Sequence, residues 1–470
     1  MAELFTREEL KDYEEKLVSF GSRLTGSKAH EDEIDMIVSK MQELGIEMHE
    51  DKHTFNRWEP TSWGLKFGDT EVEQNDIDYY PYSGVTPEEG ITAKMHYSGH
   101  GFSFIGSRGK IAVVEVPIFE APCGLVFKKR GVYPEDFVPP TKQGSPVVAT
   151  FVIAPLLKLA KMEGAKGVIA IMKGVSDDCA RHQYLPFIKK YADMPAVWVV
   201  PSVGKKIIEA AKNGESATLK MAGKYIKEAP SRTVYGLLKG KSDKDTILVN
   251  THTDGSNAFE ENAPIGLLSL AKYFSEKPLE EREKTLVFSF NTGHYQLNQF
   301  GNAMNQVTTK FLENHHEFWD GKEGHMLATA GVTLEHLGCT EWRDNPEHTE
   351  FRKVNDVDPE LVYTSNEIMS NLYVDCLKGR TQTRTLMLKP KNLVHFGEGQ
   401  PIYKRGIPSI GLCPGPDYLC NDAPDGYIDK INYDMMYEQI DTFRKVIEKL
   451  DKMDRKDLGK KQGFAFGFKF

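Results

Sequence analysis

Apolar residues recur at three- and four-residue spacing twice near the start of the chain, at Leu10, Tyr13, Leu17 and Phe20 and again at Ile34, Ile37, Met41 and Leu44. That is the period of one helix face, so residues 7–46 are predicted to form two helices joined by the turn GSRLTGSKAHE. Residues 47–80 lose the period and read as strands, with Phe55 and Trp58 as core or cleft aromatics and Tyr79, Tyr80 and Tyr82 as packing residues beside Pro81. From about 86 to 225 short apolar runs alternate with helical ones: GKIAVVEV is a strand, LLKLAKMEGAKGVIAIM a helix, turn and strand, and MPAVWVVPSVGKKIIEAAKNG a further strand and helix. Short βαβ units closed by Gly and Pro predict a separate small module. Within it, CGLVFKKRGVYPEDFVPPTKQGSP has no clear period, which predicts a long loop serving as a lid or an oligomer contact.

After Lys227, strands are predicted near 233–238, 246–251, 285–291, 331–335 and 408–413, most of them followed by loop and helix. Such alternation predicts an α/β fold, a mixed, mostly parallel sheet with helices on both faces, carrying a smaller inserted α/β domain. The expected division is an N-terminal part of the main domain at 1–85, the insert at 86–225 and the larger part of the main domain at 226–470. The helix INYDMMYEQIDTFRKVIEKLDKM, with Met436, Ile440, Phe443 and Ile447 on one face, is expected to close the main domain. The tail GFAFGFKF reads as an edge strand or as a contact with a neighbouring subunit in a homo-oligomer.

Composition narrows the function classes. At 470 residues, 40% hydrophobic and 27% charged, the chain reads as a soluble protein of two or three domains, with no apolar run long enough to span a membrane. The acidic, helix-patterned N-terminus lacks the basic start and apolar stretch of a secretion signal, and six cysteines without a CxxC pair suit reduced thiols, so a cytoplasmic location is expected. A net charge of −9 disfavours nucleic acid as a partner and leaves a small molecule or short peptide.

The candidate chemistry lies at strand ends. In TILVNTHTDGSNAFEENAPIGLLSLAKYF a buried strand delivers His252 and Asp254, a polar loop follows with Glu260 and Glu261, and then a helix begins. His294 and Tyr295 follow the strand near 285–291, and Glu335 and His336 follow the one near 331–335. A lone histidine at a strand end is ordinarily a hydrogen-bonded packing residue. An HxD followed by two acids and two more strand-end histidines puts imidazoles and carboxylates in one crevice, the donor mix for zinc or another divalent metal.

The order of HTD, acid-Asn with a following helix, a strand ending where Glu-Glu usually stands, and TLEHLG resembles the M28-type zinc aminopeptidases, and residues 86–225 resemble their protease-associated insert. The likeness runs from the SRLTGS turn to GIPSIGL and APDGYIDKI. It implies that His252 is a metal ligand oriented by Asp254, that Glu261 stands for the bridging aspartate, and that Glu335 stands for an aspartate ligand. The chain departs from the family where Glu-Glu would supply a base and a ligand, for it has His294-Tyr295, and Asp417 to Asp422 hold no counterpart of the late histidine.

The expected site is therefore an altered one, with one or two divalent ions, zinc first, on His252, Glu261, His294 and Glu335. Asp254 fixes the His252 tautomer, and Glu260, His336 or Tyr295 moves protons. His315 and His316 are expected at the surface, with His325, Glu341 and Trp342 lining the cleft. Three functions follow: a metal-dependent hydrolase of an amide, peptide-like or related small substrate; a lyase or hydratase on the same scaffold; and a non-catalytic binding protein.

Overall fold

The computed structural model describes residues 2–300, 305–390 and 395–462, so the tail GFAFGFKF lies outside the described residues. The two periodic stretches at the start form helices α1 (Arg7–Ser19) and α2 (Lys28–Glu43). Thr6 caps α1: its hydroxyl accepts the Glu9 N–H while the Glu9 carboxylate accepts the Thr6 N–H, satisfying two donors that a helix start leaves free. Leu10 and Leu17 of α1 and Ile34, Ile37 and Met41 of α2 enter the main core.

Strands β1 (Met48–Phe67), β2 (Ile77–Tyr79), β3 (Ile91–Tyr97), β4 (Ile111–Pro117), β5 (Lys129–Tyr133), β6 (Gly167–Lys173), β7 (Ala196–Val199) and β8 (Ser216–Leu238) follow. β1 and β8 form a long antiparallel ribbon, from Met48 opposite Gly236 to Phe67 opposite Ala217, that carries the chain out to the 86–225 segment and back. In that segment β3, β4, β6 and β7 lie side by side, with β4 parallel to both β3 and β6 and β6 parallel to β7. The aperiodic stretch at 123–146 is more ordered than its sequence suggests. Its β5 pairs antiparallel with the strand Thr385–Leu388, at the far edge of the main sheet, and it leads into helix α3 (Pro146–Ile153).

The main sheet adds β9 (Asp245–His252), β10 (Thr285–Asn291), β11 (Leu327–Thr333), β12 (Glu360–Thr364), β13 (Thr385–Leu388) and β14 (Ser409–Leu412). Its order is β8–β10–β9–β11–β14–β12–β13–β5, and β10, β9, β11 and β14 run parallel. Alternate residues of β9 serve opposite faces: Ile247 and Val249 join the core built by α1, α2 and helices α4 (Ala263–Ser275) and α6 (Tyr433–Asp451), whereas Leu248 joins Phe311 and Leu312 of helix α5 (Thr308–Asn314). Helices thus cover both faces, which explains why the parallel strands read as unbroken apolar runs. No described helix is long and apolar enough to cross a membrane.

Tyr79, Tyr80 and Tyr82 are all buried, and the Tyr82 hydroxyl lies against the main-chain oxygens of Phe187 and Tyr295. His316 is exposed as expected, but His315 is buried against Phe311 and Phe318 and binds Asp51 of β1 at 2.9 Å. An unpaired imidazole is disfavoured among aromatics, and the β1 carboxylate draws it inward. Burial lowers the His315 pKa, yet hydrogen bonds to Asp51 and Glu317 outweigh it and leave a net rise. Burial likewise raises Asp51, and hydrogen bonds from His315 and Asn314 reverse that. The His315 contribution is complete below about pH 6.5 and is lost as pH rises through its elevated folded value, whereas the Asp51 contribution is present above about pH 4 and is lost below it. His315→Ala is therefore expected to cost about 1–2 kcal/mol between those limits and measurably less at pH 9, read by urea denaturation at both pH values.

Candidate metal centre

The carboxyl ends of β10, β9 and β11, three adjacent parallel strands, converge on one buried cluster, the place where open α/β sheets bind ligands. His252 is the last residue of β9. His294 follows β10 after Gly293, whose φ of +109° turns the chain into a short 3-10 segment. Glu335 and His336 follow β11, and His336 itself has a φ of +54°, a strained conformation for a residue with a side chain. Glu398 enters from the loop before the helix Gly399–Lys404.

The tautomers follow from the hydrogen bonds. His252 Nδ1 lies 3.1 Å from the Asp254 carbonyl oxygen and His336 Nδ1 lies 2.6 Å from that of Pro414. A carbonyl only accepts, so both Nδ1 atoms carry the proton and both Nε2 atoms present a lone pair. His336 Nε2 is 3.3 Å from Glu260 Oε2, and His294 Nε2 is 3.4 Å from Glu260 Oε1. Glu335 Oε2 stands 3.8 Å from His252 Nε2, while its other oxygen accepts the Glu398 N–H at 2.6 Å. The His252 and His294 rings stack with centroids 4.1 Å apart. His252 Nε2, His336 Nε2 and Glu260 Oε2 are buried without a hydrogen-bond partner. One such atom costs about 1–3 kcal/mol, so three of them in one buried cluster fit the presence of a cation. Two overlapping sets have ligand atoms within 4.8 Å of one another, His252–Glu260–His294 and His252–Glu335–His336.

Burial lowers His252 well below its ordinary value, and the nearby His294 and His336 push it further; burial lowers His336 as well. Both imidazoles are held neutral, the form that ligates. Burial also depresses His294, but hydrogen bonds to Glu260 and Glu398, the latter 3.0 Å from Nδ1, outweigh it and raise the ring well above the usual range. Glu335 is pushed up to about 8, first by burial and then by the Glu398 charge.

The expected residues fall into two sets. His252, Glu260, His294, Glu335 and His336 come together. Glu261 does not join them: it turns away from its neighbour Glu260 and forms a buried ion pair with Arg23. Asp254 orients His252 through its main-chain oxygen, not its side chain. Its carboxylate accepts from the Thr25 hydroxyl at 2.5 Å and from the N–H groups of Gly293 and Tyr295, tying the SRLTGS turn to the His294 segment. The Tyr295 hydroxyl meets Ser256, 3.1 Å away, and its ring stacks on Phe187, so it belongs to the aromatic packing beside the cluster. His325 pairs with Asp320, Glu341 with Arg343 and Arg384, and Trp342 packs on Lys430; none of the three lines the cleft, because each is held by partners elsewhere. Glu398 and Arg23 were not expected. Glu398 sits in FGEGQP just ahead of a short helix, and Arg23 sits in a turn that gives no hint of burial.

A cavity of about 690 Å³, counted with its open mouth, lies over the cluster. Phe127, Val147 and Val148, from the stretch around β5 and α3, form one wall, and Phe187 and Phe396 form others.

The architecture, a mixed and mostly parallel sheet covered on both faces, is that of the zinc aminopeptidases of the M28 type. The zinc aminopeptidase BSAP from Bacillus subtilis superposes with a TM-score of 0.63 at 15% identity over 96% of this chain and 98% of its own. A peptidase M28 precursor from Shewanella amazonensis gives 0.63 at 14% identity over 96% and 98%, and an aminopeptidase from Aneurinibacillus sp. strain AM-1 gives 0.58 at 15% over 94% and 93%. No family model matches the sequence, and no curated protein sequence does.

Proposed function

We propose that the protein is a metal-dependent hydrolase of an amide, peptide-like or related small substrate, with a divalent ion, zinc in the first instance, held by His252, His336 and Glu260. The observation that supports it most is the presence of three buried, unpartnered donor atoms in one cluster, two of them on imidazoles whose tautomer is set for ligation. The zinc aminopeptidase fold of the solved relatives agrees with it. Glu335 stands close enough to His252 and His336 to complete the coordination. When bound, the ion would supply positive charge to polarise a carbonyl and acidify water.

The protein's own groups would carry the proton. His294 faces the cavity between Glu260 and Glu398 and is held in its protonated form, ready to deliver a proton to a departing nitrogen or oxygen. Residues 86–225 would act as a cover of the protease-associated kind, since Phe127, Val147, Val148 and Phe187 supply walls of the cavity.

Elemental analysis of the purified protein tests the reading. About one zinc per chain is expected in the wild type and none in His252→Ala. A wild-type protein that takes up no divalent ion when dialysed against zinc overturns it.

A further inference from the structure

We infer that the substrate of this site is an aromatic acyl compound without a free α-amino group, and not the amino end of a peptide. The inference takes the proposed hydrolase as its starting point and assigns the class of molecule that the cavity admits.

Among the described residues that line the cavity, the only carboxylates are Glu260 and Glu335, and there is no lysine or arginine. Both belong to the candidate zinc sets, so in the zinc-supplied protein neither is a free counter-charge. Glu260 faces His294 at 3.4 Å and His336 at 3.3 Å, and Glu335 accepts the Glu398 N–H at 2.6 Å and faces His252. An entering α-ammonium would give up its hydration without gaining a counter-charge, which is unfavourable for an ion in a buried site. Its remaining favourable partners would be the rings of Phe127, Phe187 and Phe396, and a cation on an aromatic ring recovers only part of its lost hydration. Desolvation wins.

What the walls do offer is aromatic surface and neutral hydrogen bonds. Phe187, stacked on His294 with centroids 5.6 Å apart, lines the cavity beside the group that would protonate the leaving atom. Phe127 meets Phe396 edge-on, 6.1 Å between centroids, on another side. Such faces hold a planar ring by offset or edge contacts. Gln143, Ser145 and Gln306 also line the cavity, and Gln306 Oε1 is buried without a partner, an acceptor suited to a neutral N–H or O–H of the ligand.

Two matched pairs test this on the full-length, zinc-supplied protein near pH 6, where an α-amine of ordinary pKa is charged. The first compares turnover of 3-phenylpropanoyl 4-nitroanilide and phenylalanine 4-nitroanilide, which differ by one ammonium. The second compares the calorimetric affinities of 3-phenylpropanohydroxamate and phenylalanine hydroxamate. The neutral member is expected to lead by about tenfold or more in both kcat/KM and Kd. Val147→Asp, which sets a carboxylate on the wall, is expected to shift the hydroxamate preference toward the cationic member by a similar factor. Equal or tighter binding of phenylalanine hydroxamate by the wild type overturns the inference, and so does failure to bind either hydroxamate. If neither anilide is cleaved while the neutral hydroxamate keeps its lead, the hydrolase reading fails and the inference about the cavity stands.

Discussion

Glu260→Gln is expected to abolish stoichiometric zinc binding and to reduce turnover by about a thousandfold or more, while Glu261→Gln keeps the metal and loses stability instead. The two glutamates are neighbours of the same type, and only their directions differ. Glu260 places its carboxylate between His294 and His336, with Oε2 unpartnered. Glu261 places its own against Arg23 on the other side of the loop. An amide in place of Glu260 keeps the shape and removes the anionic donor, so two neutral imidazoles would remain to hold the ion. At position 261 the same change takes away the counter-charge of a buried guanidinium, which is a matter of folding. Zinc content, turnover and thermal melting of the two variants separate the effects. Equal zinc loss in both would show that the loop is not set as described.

That choice between Glu260 and Glu261 could not be read from the sequence. Matching acid-Asn to the family pattern selects Glu261, because the match counts positions along the chain, whereas the turn over residues 255–262 decides which side chain faces inward. The strands were easier. β9, β10, β11 and β14 are buried on both faces, so their apolar runs stand out, and the histidines and acids at their ends mark a crevice. β12 and β13 went unmarked, and β5 lay hidden in a stretch rich in Pro, Gly and charge, since an edge strand needs no apolar run. Glu398 was illegible for a related reason: it reaches the site from a loop, where no periodicity announces it. The cage around it is nonetheless specific, with the N–H groups of Val307 and Thr308 donating to its carboxylate at the start of α5. His336 was legible as a neighbour of Glu335, but its part in the cluster depends on the left-handed turn that swings it back toward Glu260.

Arg23→Met is expected to destabilise the fold by about 3–5 kcal/mol, more at high pH than at low, because it strips a cation from a buried nest of acids. Arg23 is 1% exposed. Its guanidinium binds Glu261, lies 3.9 Å from Glu33, and donates to the main-chain oxygens of Asn257 at 2.6 Å and Leu17 at 3.2 Å. Burial drives the pKa values of Glu14 and Glu33 well above the ordinary, with the neighbouring Glu261 adding to both, and burial takes Glu261 up to about 8 against the pull of Arg23. A carboxyl raised in the folded state contributes stability below its unfolded pKa, near 4.3, and loses it as pH climbs through the folded value. Without Arg23 the folded value of Glu261 climbs further, so its ionisation is penalised over a wider range, and the gap between variant and wild type should widen from pH 5 to pH 9. The damage should also reach the metal centre. Gly255 pairs its N–H with the Arg23 carbonyl at 3.1 Å, and the Glu261 carboxylate packs against its Cα so closely that an added methyl group would meet Oε2 at 1.9 Å. Once freed from Arg23, Glu261 loses the contact that holds this loop and keeps Glu260 aimed at the histidines. Zinc affinity should fall along with the melting temperature, and Arg23→Lys, which restores the charge but not the forked geometry, should recover only part of either. A methionine variant with wild-type stability at both pH values would mean that the acids are not held by this cation.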